Sequence, residues 1–258
     1  GHRGKMLAVS RRGLKPRQHQ AGGAWAEFLH DKIPAPPSVL AKLIRDEVAK
    51  ADVQGVPWQR VFDAARPAVA SVWHTWREQE RRQFLRHLRV RWDIHRHRVA
   101  PRIGTALEAL QANGQLEIVA GRIGGYQDVG EEVEIAINLR GDGMRKFKAG
   151  HVVNCTGPGG DFDRIAIPLI ADLRERRLAM ADPLGVGLET NDCAVRDATG
   201  KPSSWLFALG PLTRPAWWEI TAVPEINIQV DRLVAQLTSS APAPSLTPAD
   251  FLGMGEGI

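Results

Sequence analysis

Residues 151–160, HVVNCTGPGG, and residues 205–212, WLFALGPL, decide how this chain is read. Each is a short apolar run closed by small residues: Thr156, Gly157 and Pro158 end the first, Gly210 and Pro211 the second. Short apolar runs that end in glycine predict buried strands whose backbone must approach something closely at the carboxyl end. In open α/β sheets, ligands sit at such strand ends. No G-x-G-x-x-G, the glycine turn that normally completes such a site, occurs in the 258 residues.

The beginning of the chain, GHRGKMLAVSRRG, extends this reading. Residues 5–10 predict a strand, and the GHRG before them reads as a helix end running into a turn, which is the middle of a βαβ unit. There is no initiator Met and no signal-peptide pattern. The expectation is the C-terminal part of an enzyme that binds two nucleotides, with its front half outside this sequence. A cloning remnant before an ordinary first strand is the alternative.

Hydrophobic residues make up 43% of the chain and charged residues 24%, a globular balance that can bury one large core or two modest ones. No run approaches the length of a membrane span. Cys155 and Cys193 are the only cysteines and stand outside any C-x-x-C or metal spacing, so a reducing cytoplasm fits and disulfide-redox chemistry does not. The net charge of +5 and pI of about 9.6 are basic, but not enough alone to argue for nucleic acid.

Four sections are expected. Residues 1–37 carry one strand and a loop, the remainder of an NAD(P)-binding unit. Residues 38–115 are a helical section. Ser38 is its expected N-cap, and Leu40, Leu43, Ile44 and Val48 form an apolar stripe. Pro57 opens a short helix with Val61 and Phe62, and Pro67 begins a longer one. Pro101 starts another, with Ile103, Leu107 and Leu110 on one face and Asn113-Gly114 as its stop.

Residues 116–237 hold a small antiparallel meander and the rest of a flavin-binding unit. Leu116 to Val119 and the alternating Val133, Ile135, Ile137 and Leu139 are two strands; Gly141-Asp142-Gly143 turns the chain, and residues 144–148 pair back. Residues 151–155 then form a buried strand. A short helix follows Pro168, residues 206–209 form the last strand, and residues 223–237 the last helix. The Ser/Pro/Ala-rich end, residues 238–258, is expected to be a mobile tail.

The chemistry begins at Ser10-Arg11-Arg12-Gly13, directly after the first strand. In a dinucleotide-binding unit this strand end faces the adenosine ribose: an acid there accepts the 2′-hydroxyl of NAD, whereas arginine pairs with the 2′-phosphate of NADP. Here two arginines stand where the acid would, and the planar guanidinium can bind phosphate oxygens in parallel hydrogen bonds. A solvated loop is the bland alternative for both.

At the other end, Thr221 is a candidate N-cap for the last helix and Glu225 lies in its first turn. Pointed at a flavin, this helix start would place N–H groups and a positive dipole beside the edge where negative charge develops on reduction. An ordinary capped helix is the alternative.

SRRG after a strand, VVNCTGPGG, PLGVGLE and WLFALGPLTRPAWWEITAVPEINIQ together resemble the C-terminal part of bacterial FAD/NAD(P)-binding oxidoreductases, relatives of flavin-containing monooxygenases and N-hydroxylating flavoenzymes. The resemblance covers roughly residues 1–237 and is densest over 151–230. It implies an α/β, incomplete two-dinucleotide-binding (Rossmann-like) flavoprotein fold, with FAD and NADP as cofactors. Ser10, Arg11 and Arg12 would take the NADP phosphate. Thr156 and Gly157 match the family's strand-end turn, and Gly210, Thr221, Ala222 and Val223 its flavin-side motif. Such flavoproteins usually carry Gly-Asp at the end of the final strand, where the Asp holds the ribityl chain; here Pro211 stands in its place.

The resemblance also implies a small-molecule substrate of unstated identity and hydride transfer from nicotinamide to flavin, chemistry that belongs mostly to the cofactors. No nucleophile–base pair stands out. Arg214, Trp217, Trp218 and Glu219, beside the flavin-side helix, are substrate-side candidates, and a Trp pair packing that helix is the alternative.

The rival reading comes from the helical section. Trp73, Trp76, Phe84, Leu85 and Leu88 fall near one face, and Arg77, Arg81, Arg82, Arg86, Arg89, Arg91, Arg96 and Arg98 crowd the rest. Basic residues interleaved with aromatics could make a nucleic-acid- or acidic-partner-binding protein without enzymatic activity. Glu78, Glu80 and Asp93 dilute the patch, and a solvated basic face over a packed stripe is preferred. His95 and His97 fall on different helix faces, which does not suit a metal site.

Overall fold

A computed structural model describes residues 2–141, 143–157 and 159–238. Asp142, Pro158 and nearly all of the expected tail lie outside the described residues. The chain is mixed α/β and forms two compact units, Gly1–Ala21 with Val90–Gly157, and Gly22–Arg89 with Pro158–Ile258.

The first unit is built on a four-stranded mixed sheet in the order β1-β2-β3-β4. Strand β1 (Met6–Ser10) pairs in parallel with the start of β2 (Leu116–Val129), Met6 opposite Leu116 and Ser10 opposite Ala120. Between them the chain passes through the end of α5 (Arg89–Arg96) and α6 (Pro101–Ala112). A parallel pair needs such a crossover, because a hairpin can only join antiparallel strands.

At 14 residues β2 is long enough to change partner. From Gly121 onward it pairs antiparallel with β3 (Glu132–Leu139), which pairs with β4 (Met144–Ala149). Gly121 marks the handover: a Cβ there would lie 2.8 Å from the Asn138 carbonyl oxygen, so only glycine admits the approach. The alternation read in β3 is realised, with Ile135 and Ile137 buried. Helix α6 starts at Pro101 and stops at Asn113, with Gly114 at φ 74°, as expected. Its inward residue is Gly104 rather than Ile103, which is exposed; Gly104 sits where any Cβ would strike the Gln18 side chain.

The second unit opens with α1 (Pro37–Val53) and α2 (Trp58–Ala65). The cap of α1 is Pro36, with Pro37 in the first turn, and not Ser38. Two consecutive prolines set φ for the start and take the place a side-chain cap would fill. The long helix expected from Pro67 is instead a 3-10 turn (Arg66–Ala68) and a short α3 (Val69–Thr75), which ends where Trp76 turns extended at ψ 135°. Helix α4 (Glu78–Gln83) restarts the run, the Glu80 carboxylate accepting the Arg77 N–H at 2.9 Å. A π-turn over Phe84–Leu88 follows.

After a 3-10 turn at Phe162–Arg164 comes α7 (Pro168–Glu175), then a three-stranded antiparallel sheet of β5 (Thr190–Asn191), β6 (Ala194–Arg196) and β7 (Pro202–Phe207). Helix α8 (Val223–Thr238) closes the described chain. Phe162, Ile170, Ala179, Leu188 and Val195 form one core cluster of this unit.

Two expectations about strands are corrected. Residues 151–155 are not a strand but an irregular exposed segment in which Val153 is 79% exposed. Of the strand expected over 206–209 only Leu206 and Phe207 are realised, as the end of β7 at the edge of an antiparallel sheet, while Ala208 and Leu209 lie outside any strand. The two glycine-ended runs therefore share no sheet, and they are not paired carboxyl ends of one parallel sheet.

Candidate functional site

Strand β1 ends at Ser10, and the turn after it is tightly specified. The Gly13 N–H is donated to Ser10 Oγ at 3.0 Å, and Gly13 has φ 61°. A Cβ on Gly13 would meet the Ala120 nitrogen at 3.0 Å, so the turn is folded against the residue that pairs with Ser10. Arg11 is exposed and Arg12 half-buried on this turn. Sequence reasoning missed Arg140. Its N–H is donated to the Ala120 carbonyl at 2.8 Å, which places a third arginine at the same end of the sheet. The only sequence signal for it was its position directly after an alternating strand.

Thr156 and Gly157 are exposed. The Asn154 side-chain oxygen accepts both the Thr156 N–H at 3.0 Å and the Thr156 hydroxyl at 2.7 Å, and Gly157 has φ 76°. This is a local Asx turn after β4, whereas Ser10 to Arg12 follow β1; the sheet order puts these strands at opposite edges.

In the second unit, Gly210 is buried with φ 75° and opens a 3-10 turn through Thr213. Its N–H is donated to Gln229 Oε1 at 2.7 Å. Gln229 Nε2 in turn donates to Thr213 Oγ1 at 2.8 Å, and that hydroxyl donates to the Gly210 carbonyl at 2.8 Å. One buried amide thus fastens the turn to α8. A Cβ on Gly210 would lie 3.8 Å from Ile226 Cδ1, so the turn faces the first part of α8. Pro211 is exposed, as are Thr221, Ala222 and Val223. Thr221 is not an N-cap: its hydroxyl and N–H both turn back to the Glu219 carbonyl. Glu225 is in the first turn, 5% exposed, and paired with Arg66.

Trp217 and Trp218 are core residues, 1% and 5% exposed. Trp218 stacks on Trp73 with ring centroids 4.4 Å apart and touches Phe84 edge-on. Trp217 donates to the Asp192 carbonyl at 3.4 Å and lies under the Arg232 guanidinium. Arg214 lies over the Trp218 ring at 5.4 Å. Glu219 holds φ 75°, unusual for a side chain of its size.

The aromatics of the basic helices belong to this core, since Trp73, Trp76 and Phe84 are all buried. Arg81 bonds the Trp73 and His74 carbonyls, and Arg82 bonds Glu78 and the Pro183 carbonyl. In the first unit His95 Nδ1 lies 2.7 Å from the Arg91 carbonyl, and burial lowers its pKa.

Among the described residues no three His, Cys, Asp or Glu side chains come together to hold a metal ion, and no helix is long and apolar enough to cross a membrane. Cys193 is fully buried, and burial with the Asp192 carboxylate beside it pushes its thiol up to about 12. No protein-family model, curated protein or solved structure matches the chain significantly.

Proposed function

We propose that this chain is part of an FAD-dependent, NADPH-using oxidoreductase of monooxygenase-like type, and that the turn after β1 takes the 2′-phosphate of NADP. One observation carries this reading: Arg11 and Arg12 stand on a locked turn at the carboxyl end of a strand in parallel pairing with β2. That is where a dinucleotide-binding unit meets the ribose. A locked turn gives the guanidinium groups a fixed origin, which lowers the ordering cost of clamping a phosphate.

The fit to FAD rests on the second unit. The start of α8 is exposed, and the N–H groups of its first turn, apart from the one Pro224 lacks, can face an anionic ring edge. Pro211 contributes neither a carboxylate nor an N–H, so a ribityl contact must come from elsewhere. The chemistry FAD would supply there is that of a hydride acceptor and electron carrier. The chain's own residues bind and orient. Two free cysteines agree with a cytoplasmic setting.

Calorimetric titration with adenosine 2′,5′-bisphosphate and with 5′-AMP, which differ by the 2′-phosphate alone, tests the phosphate claim without flavin. The 2′-phosphate is expected to strengthen binding roughly 10- to 100-fold, at about 1.5–3 kcal/mol for charge-assisted bonds. Arg11→Ala and Arg12→Ala should remove that preference, and Arg140→Ala should weaken it. Equal affinity for both probes would overturn the claim. A colourless protein purified from the full reading frame that encodes this chain would overturn the flavin part.

A further inference from the structure

Helix α8 carries its polarity reversed. Glu225 and Gln229 are buried on one side of it, Glu225 paired with Arg66 and Gln229 bonded to Gly210 and Thr213. Arg232 and Gln236, half-buried, continue that side, and Arg232 meets Asp192 at 3.3 Å. On the other side Val223, Val230, Val234 and Leu237 are exposed, from 36% for Val230 to 68% for Val223, with Asn227 exposed among them. At about 100° per residue the two sides lie about 150° apart round the helix. A surface helix normally turns its apolar stripe to the core and its polar residues to water. Here polar groups that fasten the Gly210 turn take the core side, and the apolar stripe is left outside as a surface for contact.

The spacing of that stripe defines the contact. Residues 223, 227, 230, 234 and 237 follow one another at four, three, four and three positions, the a/d repeat of a two-stranded coiled coil. Asn227 and Val234 occupy a positions, and Val223, Val230 and Leu237 occupy d positions. A β-branched residue at a with leucine at d favours two strands, and a single Asn at a fixes the register. The Asn227 amide both donates and accepts, so in a parallel pair its own equivalent in a second copy satisfies it. An antiparallel pair would set it against valine or leucine and leave the amide without a partner. Asp231, the one exposed charged residue of α8, stands at e and would face Ile226 at g, so no like charges meet.

The exposed parts of the four apolar side chains come to roughly 250–300 Å² per copy. Two copies bring together roughly 500–600 Å², which at the apolar share of homodimer interfaces, about 65%, implies a total of about 900 Å². Ile226 and Leu233, half-buried at the flanking g positions, carry it to about 1,000 Å², the lower limit for a specific interface. We propose that the outer face of α8 is a homodimer interface, in which two copies of this chain pair in parallel through Val223, Asn227, Val230, Val234 and Leu237. Two heptads and this area make a weak dimer, populated at high concentration. The seam runs along the side of α8, whereas the N–H groups of its first turn point along the axis, so the dimer does not depend on the nucleotide reading.

Sedimentation equilibrium of the full chain, from about 1 µM to about 1 mM, is the test. The mass should rise from 28.4 kDa toward twice that value. Val234→Glu changes a side chain that is 53% exposed, so circular dichroism should stay native while association weakens roughly tenfold or more. A monomer at every concentration leaves the stripe to another occupant and overturns the proposal. So does a dimer as strong in Val234→Glu as in the native chain, since its interface then lies elsewhere. Register is read by oxidising Val234→Cys in a Cys155→Ser background, which removes the exposed thiol. A disulfide-linked dimer should form there and not from Ala235→Cys, which stands off the seam. A dimer that does not cross-link through position 234 overturns the parallel pairing.

Discussion

Replacing Gln229 by leucine is the sharpest probe of how the Gly210 turn is held. Gln229 is completely buried, and its amide makes two bonds, one from the Gly210 N–H at 2.7 Å and one to Thr213 Oγ1 at 2.8 Å. Leucine fills a similar volume, so the cavity term is small and the polar terms decide. A buried N–H left without an acceptor costs about 1–3 kcal/mol. The Thr213 hydroxyl keeps its bond to the Gly210 carbonyl and loses only one acceptor contact, about 0.5–1.5 kcal/mol. The expected loss is about 2–4 kcal/mol, or roughly 30- to 1000-fold in the folding constant. Urea titration followed by tryptophan fluorescence reads the right unit, because of the eight tryptophans only Trp92 lies outside the second. A loss below about 1 kcal/mol with an unchanged slope would refute the reasoning, since it would mean the Gly210 N–H is satisfied without Gln229. Gln229→Glu sharpens the test: its oxygen still accepts the Gly210 N–H, but burial penalises its charge, so stability should recover as pH falls.

Two further predictions follow from the same unit. Gly187→Ala puts a methyl group 2.1 Å from the Leu212 carbonyl oxygen, which must move and break its bond to Leu188; the expected loss is about 2–4 kcal/mol in the same assay, against about 1 kcal/mol for Gly55→Ala in the same unit, where nothing lies within 4 Å. Thiol titration with Ellman's reagent at pH 8 should label the exposed Cys155 quickly and Cys193 only after unfolding, because burial and Asp192 push that thiol up to about 12; rapid labelling of both would contradict the burial.

What could be read from the sequence is what local chemistry decides alone. The alternation of Val133 to Leu139, the prolines at 57 and 101 and the Asn113-Gly114 stop each act within a few residues, and each appears where expected. The missed elements depend on distant partners. Trp76 ends α3 because its ring reaches the Ala35 carbonyl at 2.8 Å and packs with Trp73 and Phe84, contacts that no helix periodicity encodes. Gln229 and Glu225 stand four apart and buried on α8, and a buried amide or carboxylate leaves no apolar signal in the sequence. Asp182 escaped for the same reason: it looks like an ordinary surface acid until the turn whose N–H groups it accepts is in place.

The segment 151–155 shows how far such local signals reach. His-Val-Val-Asn-Cys has the composition of a buried strand, yet a strand exists only by pairing, and the sheet that could have received it runs β1-β2-β3-β4 and ends with β4. Thr156 and Gly157 then follow an exposed run rather than a strand end, and the case for a ligand at that turn loses its physical basis within the described residues. The Ser10 to Gly13 turn keeps its basis because its support is visible at every level. The β1 pattern is realised, the parallel partner is present, the glycine is required by Ala120, and the arginines point to a chemistry that this strand end can serve. The nucleotide reading therefore stands or falls on Arg11 and Arg12, and the 2′-phosphate comparison, more than any flavin spectrum, is the measurement that bears on these residues directly.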